Sequence, residues 1–338
     1  MNGTDDNFLM NLAINKAWQF QGLTYPNPAV GAVLIDSNGK ILSIEAHQKA
    51  GTSHAEVLAL IKAYQEITSS LVDIDIFDAN ITHKFLLDNA KDIFCECTIF
   101  VTLEPCSHHG KTPSCASLLS ILNIKKVVIA TLDPIKPHSG GIDILKQKNI
   151  QVKIGVEEQK AKDLIEPFRI WQDRAFIIFK IAQTTNGKIG GGYLSSKESL
   201  IHTHKLRNIC DKMLIGGNTV RVDRPTLDCR YIKQPAPNLY IYSKQDNFSK
   251  DIPLFNIKNR EVRIGDNLDF LDKPSFILVE GGSGMINAIK DKIDWLLIYQ
   301  TPKLSTNILN YNVDIELEFL KYQELSVDLI NWCRVIKE

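Results

Sequence analysis

Long apolar runs are missing from the 338-residue chain, and none approaches the roughly 18 residues that a membrane-spanning helix requires. The start of the chain, Met1 to Asp6, also lacks the basic residues and the apolar core of a secretory signal. We therefore expect neither a membrane helix nor secretion, and we predict a cytoplasmic protein.

An excess of charge of either sign is missing as well, since 39 lysines and arginines balance 39 aspartates and glutamates. Such a chain has no overall field that attracts a nucleic-acid backbone or an anionic membrane. The expected partner is a small molecule, with no nucleic acid and no membrane, and local positive clusters can still hold one phosphate. We also expect a homo-oligomer, of a size that the sequence does not reveal.

Cysteine is too sparse for a disulfide scaffold, because the chain holds seven cysteines, an odd number, spread over its whole length. This usage fits a reducing compartment in which two of the thiols bind metal. Cys210, Cys229 and Cys333 are interpreted as ordinary small apolar residues.

Flexible Gly/Ser linkers, internal repeats and low-complexity tracts are absent, yet the chain is longer than one core usually grows. We predict two α/β domains, over 1–174 and 175–338, joined by an amphipathic helix over 156–173. The second half alternates strands and helices, which indicates a parallel-rich sheet.

One spaced set of residues carries metal chemistry. His54, Cys106 and Cys115 offer an imidazole and two thiolates, which leaves the fourth corner of a tetrahedral zinc ion for water. Glu56 is not a ligand but can move the proton of that water, so it is the candidate catalytic residue. The arrangement is typical of zinc-dependent base deaminases, in which a metal-bound hydroxide attacks a ring carbon.

Local signals place this set at the edge of a sheet. A hairpin is predicted over 29–44, with its turn at Asn38-Gly39, and Thr52 or Ser53 is expected to cap the helix that carries Glu56. Strands over 99–103 and 126–131, with a helix from Cys115 between them, put the ligand loop at strand carboxyl ends.

Two features limit the assignment. Cys95 and Cys97 precede the zinc segment and are alternative ligands, disfavoured because the other three already leave the open position that hydrolysis requires. Cys106 and Cys115 enclose eight residues, not the two of the usual Cys-x-x-Cys signature, so an ordinary cytidine or transfer-RNA adenosine deaminase fits poorly.

The longer loop belongs to a recognisable pattern. The stretches Asn27-Pro28-Ala29-Val30-Gly31, His47-Gln48-Lys49-Ala50-Gly51, His54-Ala55-Glu56 and Thr102-Leu103-Glu104-Pro105-Cys106-Ser107-His108-His109-Gly110-Lys111-Thr112-Pro113-Ser114-Cys115 resemble, in order, the bifunctional riboflavin-biosynthesis deaminase/reductase family. The resemblance implies a cytidine-deaminase-like three-layer α/β/α domain followed by a dihydrofolate-reductase-like α/β domain.

The same resemblance implies two reactions. One is zinc-dependent hydrolytic deamination of 2,5-diamino-6-(5-phosphoribosylamino)pyrimidin-4-one, and the other is NADPH-dependent reduction of the ribosyl group to ribityl. In the deaminase half Asn27, His47 and Lys111 are candidate substrate contacts, with His108 a further candidate for the phosphate. The remaining histidines are interpreted as surface or satisfied residues: His83, His109, His138, His202 and His204.

For the reductase half the resemblance implies two sets of contacts. The predicted cofactor contacts are Gln183, Tyr193, Thr219, Asp223, Ser243 and the glycine-rich turn Gly282, Ser283, Gly284, Met285, Ile286, Asn287 and Ala288. The predicted substrate contacts are Lys180, Arg207, Leu227, Arg230 and Glu280. Arg207 and Arg230 offer planar forks suited to a phosphate, and Lys180 is expected either to orient the sugar carbonyl or only to pair with Glu280 or Asp223.

The chain departs from the family at two places. The segment 69–92 is an insertion that is expected to form an extra strand or a helical excursion. It is interpreted as a tolerated surface insertion, with gating or oligomer contact as the alternative. The loop 189–195 is shorter than the loop of the family, and Asn186 stands where the family usually has an aspartate.

Two other functions stay open at this point. One is a monofunctional zinc nucleotide deaminase whose second half lacks reductase activity, and the other is a non-catalytic protein that zinc merely stabilises. The second is disfavoured because a structural zinc site usually closes with a fourth protein ligand.

Overall fold

The computed structural model describes residues 5–108, 110, 112–135, 139–190, 192 and 194–337. The chain forms two compact units, Met1–Arg169 and Ile170–Glu338, each with its own sheet. Among the described residues, no helix combines the length and the apolar composition that crossing a membrane requires.

The first unit is a five-stranded sheet with strand order β2-β1-β3-β4-β5 and helices around it. Its elements in chain order are α1 (Asp6–Trp18), β1 (Gly31–Ile35), β2 (Ile41–Ala46), α2 (Ala55–Thr68), α3 (Ala79–Asn89), β3 (Thr98–Leu103), α4 (Cys115–Ile121), β4 (Lys126–Thr131), α5 (Gly141–Gln147), β5 (Gln151–Ile154) and α6 (Glu158–Ile170). Strands β1 and β2 are antiparallel, whereas β3, β4 and β5 run parallel to one another.

Local chemistry explains the predicted hairpin. The carboxylate of Asp36 accepts the backbone N–H groups of Asn38 and Lys40, and Gly39 takes a positive φ of 84° that favours glycine. Helix α1 then packs directly on β1, because a Cβ at Gly31 would lie 2.0 Å from the carbonyl oxygen of Ala13. The predicted hairpin is confirmed.

Two expectations for this unit need correction. The helix that carries Glu56 is capped neither by Thr52 nor by Ser53: His54 is its N-cap residue and makes no side-chain capping bond. The insertion 69–92 is not a surface excursion throughout, because its helix α3 buries Leu86 completely in the first core.

The second unit is an eight-stranded sheet with strand order β12-β13-β11-β6-β10-β7-β8-β9. Its elements are β6 (Ala175–Thr184), α7 (Lys197–Ile209), β7 (Lys212–Gly216), α8 (Gly217–Asp223), β8 (Asn238–Tyr242), β9 (Val262–Gly265), β10 (Ser275–Glu280), α9 (Ser283–Ile289), β11 (Trp295–Thr301), β12 (Leu317–Leu325) and β13 (Asp328–Val335). The pairings from β11 through β6, β10, β7 and β8 to β9 are parallel, which confirms the parallel-rich sheet, whereas β13 pairs antiparallel with both β11 and β12.

Aromatic residues pack against one another on the sheet of the second unit. Phe176 on β6 meets Trp295 on β11 edge to face, with ring centroids 5.4 Å apart, and both rings are fully buried. The four adjacent parallel strands β6, β7, β8 and β10 have their carboxyl ends at one edge of this sheet, and residues at and after those ends line one cleft.

Candidate functional sites

The three predicted zinc ligands meet at the carboxyl end of β3. His54 stands at the start of α2, Cys106 follows β3, and Cys115 begins α4, and one ligand atom from each lies within 4.8 Å of the others. Among the described residues this is the one His/Cys/Asp/Glu group with such spacing. Cys95 and Cys97 lie before the amino end of β3, a strand length away, so they are not part of it.

The ligand spacing fits zinc. With bond lengths of about 2.3 Å to sulfur and 2.0–2.1 Å to nitrogen, a tetrahedral ion holds its N and S ligands about 3.6 Å apart. The Nδ1 atom of His54 lies 3.7 Å from the Sγ of Cys106 and 3.4 Å from the Sγ of Cys115. The residues present therefore match a His/Cys/Cys zinc site with one open position.

Hydrogen bonds around the ligands favour the thiolate form of Cys106 and orient the ring of His54. A hydrogen bond from the Cys115 thiol and the nearby His54 imidazole hold the pKa of Cys106 well below its ordinary value, although burial opposes the shift. The backbone N–H of Cys115 donates to the same sulfur over 3.4 Å. On the other side, His54 Nε2 lies 3.0 Å from the Oγ1 of Thr112. In the tautomer that coordinates metal through Nδ1, the Nε2–H group donates a hydrogen bond to this hydroxyl oxygen. Sequence reasoning quoted Thr112 within the motif but assigned it no role.

Glu56 lies in the first turn of α2 and is almost completely buried, with 4% of its surface exposed. Burial raises the pKa of its carboxyl group, and the nearby His54 imidazole only partly opposes this. A carboxyl group with a raised pKa is suited to accept and return a proton near neutral pH. Its position in the first turn keeps it beside the ligands without joining them.

Asn27 and His47 form a polar pair on the same side of this unit. His47 Nδ1 lies 3.1 Å from the carbonyl oxygen of Ser53, so Nδ1 carries the proton, and Nε2 accepts from the amide of Asn27 at 3.1 Å. Burial, and then the neighbouring His54, lower the pKa of His47 to about 4, so its ring is neutral. Lys111, the third predicted substrate contact here, lies outside the described residues.

A buried carboxylate that sequence reasoning missed ties the metal loop to α5. Glu104 accepts from the backbone N–H groups of Gly140 at 2.9 Å and Ile142 at 3.3 Å, and it is 6% exposed. Gly141 packs so closely that a Cβ there would lie 1.9 Å from the carbonyl oxygen of Pro105. The start of α5 therefore fixes the loop that carries Cys106. The position of Glu104 within the family motif, directly before Pro105-Cys106, is the sequence feature that could have identified it.

The second unit carries a cleft of about 1190 Å³ at the carboxyl ends of β6, β7, β8 and β10. It is lined by most of the residues predicted to bind cofactor or substrate: Lys180, Arg207, Thr219, Asp223, Leu227, Arg230, Ser243, Glu280, Gly282, Ser283, Gly284, Met285 and Ala288. The side chains of Gln183, Ile286 and Asn287 do not line it, and Ile286 is buried in the second core. Tyr193 lies outside the described residues.

Glu280 is the centre of a buried ionic cluster in this cleft. Its carboxylate accepts two bonds from Arg207, at 2.7 and 2.9 Å, and Lys180 lies 3.3 Å away. Burial alone would raise the pKa of Glu280, but Arg207 and Lys180 outweigh it and lower the pKa to about 2. The expected pairing of Lys180 with Glu280 is therefore present, and the fork of Arg207 faces Glu280 instead of standing open for a phosphate.

Arg207 has further neighbours. It donates to the carbonyl oxygen of Asp228 over 3.1 Å and lies 3.4 Å from His204. His204 is buried, lines the cleft and accepts the backbone N–H of Tyr231 at 3.3 Å, so it is a satisfied histidine and not a surface one.

The segment 225–230 is held in an unusual conformation by a residue that sequence reasoning missed. Leu227 has a positive φ of 54°, which is rare for leucine. Arg260, just before β9, donates to the carbonyl oxygens of Thr226, at 2.8 Å, of Leu227 and of Pro237, at 2.9 Å. Nothing in the local sequence marks Arg260, because its partners lie 23 to 34 residues away.

Asn186 and the short loop 189–195 are both hydrogen-bonded to the segment that follows β11. The amide of Asn186 donates to the carbonyl oxygen of Ser305 at 2.9 Å and accepts the backbone N–H of Ser305 at 3.1 Å. An aspartate in its place would lose the donated bond. Beside it, Ile189 donates to the carbonyl oxygen of Leu309 over 3.0 Å, so the short loop is bonded to the segment after β11.

Two family models match the chain. The model of the cytidine and deoxycytidylate deaminase zinc-binding region matches residues 3–131, and that of the RibD C-terminal domain matches residues 175–305. The metal cluster falls within the first match and most of the cleft within the second. These matches, with the two sheets, confirm the predicted two-domain α/β fold class.

Relatives match over nearly the whole chain. The riboflavin biosynthesis protein RibD of Aquifex aeolicus is 33% identical over 326 residues, covering 90% of this chain and 83% of its own length. RibD of Mycobacterium tuberculosis is 29% identical over 317 residues, covering 87% and 84%. The crystal structure of a diaminohydroxyphosphoribosylaminopyrimidine deaminase/5-amino-6-(5-phosphoribosylamino)uracil reductase from Thermotoga maritima is 27% identical, with a TM-score of 0.67 over 98% of this chain and 99% of that one.

Proposed function

The chain belongs to the RibD family of riboflavin biosynthesis proteins, and from this membership we propose how its two sites divide the work. It is a bifunctional enzyme, a zinc-dependent deaminase and an NADPH-dependent reductase. The proposed substrate is the diaminohydroxyphosphoribosylaminopyrimidine that the Thermotoga relative's name specifies. One observation carries the proposal: the same chain contains both a His/Cys/Cys site beside the buried Glu56 and a cleft around Glu280.

In the deaminase site the ligands are His54, Cys106 and Cys115. A bound zinc ion supplies a water whose pKa is lowered toward neutrality. With zinc bound, Glu56 would take the two protons of that water in turn and pass one to the ring nitrogen and the other to the departing ammonia, which its raised pKa favours. The reaction consumes one water and releases one ammonia for each amino group replaced by oxygen.

Asn27 and His47 orient the substrate. Because the Asn27 amide already donates to His47, its carbonyl oxygen is the atom available to accept a hydrogen bond from the substrate. The neutral His47 ring fixes that orientation without adding a charge beside the metal. Lys111 is assigned to the phosphate from the family motif alone.

In the reductase site NADPH supplies the hydride, and the protein supplies placement and charge. The turn Gly282 to Gly284 brings backbone close to the cofactor, and Thr219, Asp223 and Ser243 line the same cleft. Lys180, held by Glu280, orients the ribosyl group as it accepts the hydride. Arg230 is assigned to the substrate phosphate, for which it must exchange its bond with Asp228, now 2.7 Å long.

The monofunctional alternative is wrong, because the second half matches the RibD C-terminal domain and RibD relatives align with both halves. A domain boundary near residue 174, a homo-oligomeric state and a cytoplasmic location remain proposals. The division of the chain after Arg169 supports the domain boundary. The free thiols, two of which are proposed zinc ligands, support a reducing compartment such as the cytoplasm.

The proposed function is tested by incubating the zinc-loaded protein with the diamino ribotide, with and without NADPH. We expect ammonia release in both mixtures and NADPH oxidation only after deamination has begun. Ammonia release without any NADPH oxidation would overturn the reductase half, and absence of both would overturn the whole proposal.

Replacing Cys106 by serine is predicted to remove zinc. A serine hydroxyl stays protonated at neutral pH and does not replace the thiolate, so bound zinc, measured by atomic absorption, should fall from about one per chain to near zero. Cys95→Ser and Cys97→Ser are the controls and should keep their zinc. Zinc retained in Cys106→Ser but lost in either control would contradict the ligand assignment.

Replacing Arg260 by methionine is predicted to weaken ribotide binding in the reductase. The two bonds from Arg260 to the carbonyl oxygens of Thr226 and Leu227, which hold Leu227 in its left-handed conformation, would be lost, and at about 1 kcal/mol for each net bond the KM for the deaminated ribotide should rise about 10-fold or more. The matched control is Arg263→Met, because Arg263 is exposed and pairs only with a surface glutamate. An unchanged KM in Arg260→Met would reject the role.

A further inference from the structure

The insertion 69–92 touches both segments that carry zinc ligands. The backbone N–H of Ser53, the residue before His54, donates to the carbonyl oxygen of Phe77 over 3.0 Å. The Nε2 atom of His83 lies 3.4 Å from the carbonyl oxygen of Ser114, the residue before Cys115. A carbonyl only accepts, so His83 Nε2 is the donor. One inserted segment therefore bonds to the chain next to two of the three ligands.

The first of these contacts is built by a tight turn. The carboxylate of Asp75 accepts the backbone N–H of Phe77 at 3.0 Å, and the carbonyl oxygen of Asp75 accepts the N–H of Asp78 at 3.1 Å. Asp78 in turn caps α3 by accepting from Asn80 and Ile81. The turn thus fixes the direction of the Phe77 carbonyl and the start of the helix together.

The second contact is held by packing. His83 is 8% exposed, and Thr82 and Leu86 beside it on α3 are completely buried. The ring of Phe85 meets Tyr64 of α2 edge to face, with centroids 5.4 Å apart. Helix α3 is therefore fixed against the helix that begins at His54, so the imidazole of His83 reaches Ser114 from a rigid support.

Ser53 and Ser114 are themselves positions of consequence. The carbonyl oxygen of Ser53 accepts from His47, and the hydroxyl of Ser114 donates to the carbonyl oxygen of Cys106 over 2.8 Å. Movement of Ser53 would shift the adjacent ligand His54 and, through His47, the Asn27–His47 pair. Movement of Ser114 would shift the adjacent ligand Cys115 and, through its hydroxyl, the ligand Cys106. Both residues are completely buried, so water does not replace a lost contact there.

We propose that the insertion is a brace for the zinc site, in which Phe77 and His83 hold the segments that present His54 and Cys115 at their metal-binding separation. They are positioning residues and touch neither metal nor substrate. The proposal rests on the proposed zinc site. A brace of this kind lowers the entropy that the ligand segments lose when the metal binds. Residues that orient metal ligands from outside the ligand set typically change metal affinity by roughly 10- to 100-fold.

The test measures zinc release from the full-length, zinc-loaded protein to an excess of a coloured chelator. His83→Leu removes the donor and is expected to release zinc about 10-fold faster than the natural chain. His83→Gln keeps a donor at a similar reach and is expected to restore most of the difference. Lys84→Ala, an exposed neighbour on the same helix, is the control and should release zinc at the natural rate.

A second variant addresses the other contact. Asp75→Ala removes the carboxylate that fixes the Phe77 turn, and it too should release zinc faster, whereas Asp73→Ala, an exposed aspartate two residues earlier, should not. NADPH oxidation with the deaminated ribotide, measured on each protein, shows that the second unit is folded.

The outcomes separate the two proposals. Zinc release at the natural rate from both His83→Leu and Asp75→Ala overturns the brace, as does release from His83→Gln as fast as from His83→Leu. If the natural protein holds no zinc, the proposed deaminase function fails instead.

Discussion

Glu56→Gln is expected to lower deamination by roughly 100- to 10,000-fold while zinc stays bound, since a general acid–base group commonly contributes that much. The amide has the size of the carboxyl group but neither accepts nor returns a proton at neutral pH. Glu56 lies outside the ligand group, so the metal should survive the change. The measurements are ammonia release from the diamino ribotide and the zinc content of the same sample.

The control for this variant is Glu66→Gln, an exposed glutamate at the far end of α2 that pairs with Lys40. It should leave both deamination and zinc unchanged. Near-natural deamination by zinc-replete Glu56→Gln would remove Glu56 from the mechanism.

Glu280→Gln is expected to reduce the reductase kcat/KM by about 100-fold or more. The change leaves the buried charges of Arg207 and Lys180 without their partner, and breaking one side of a buried ionic cluster commonly costs about 3–5 kcal/mol. NADPH oxidation with the deaminated ribotide measures the loss, and Glu261→Gln, an exposed glutamate, is the control. Natural activity in Glu280→Gln would show that the cluster does not serve the reaction.

The same variant carries a pH signature. Because the pKa of Glu280 is lowered to about 2, its ionised form stabilises the fold above its ordinary pKa of 4.5, and this contribution is lost as the pH falls from about 4.5 toward 2. The natural chain should therefore exceed Glu280→Gln in the free energy of unfolding at pH 7 and lose that advantage toward pH 2. A difference that stays constant from pH 7 to pH 2 would contradict the lowered pKa.

The deaminase site was predictable because its parts carry local signals. His54, Cys106 and Cys115 have a spacing that only metal chemistry explains well, and the strand and helix around them follow from apolar runs. The helix cap was mispredicted for the same chemical reason. Thr52 and Ser53 are better capping residues than histidine, but the chain uses His54 as the N-cap residue and so places its ring beside the cysteines.

The reductase cleft depended on the family resemblance, because its contacts are long-range. Arg207 looked like a phosphate ligand, since a guanidinium fork suits phosphate as well as it suits a carboxylate. Only the fold shows that Glu280, 73 residues away, occupies that fork. Arg260 was unpredictable for a similar reason, because donation to backbone carbonyls leaves no trace in the identity of the residues that accept.

The insertion was misread because loop-closure entropy makes long insertions inexpensive, which favoured a surface excursion. The buried face of α3 consists of Ala79, Thr82, His83 and Leu86, and the polar residues Thr82 and His83 on that face hid the hydrophobic pattern. Two hydrogen bonds to the ligand segments give the insertion a task that sequence alone does not indicate.

The central claim, that two separate active sites act in turn on one ribotide, is tested most directly by following ammonia and NADPH together in one reaction. With the diamino ribotide, the natural protein should release one ammonia for each NADPH oxidised once the concentration of the deaminated ribotide has become constant. Glu280→Gln should release ammonia while oxidising almost no NADPH, and Glu56→Gln should oxidise NADPH only when given the deaminated ribotide. Loss of both activities in either folded, zinc-loaded variant would contradict the account.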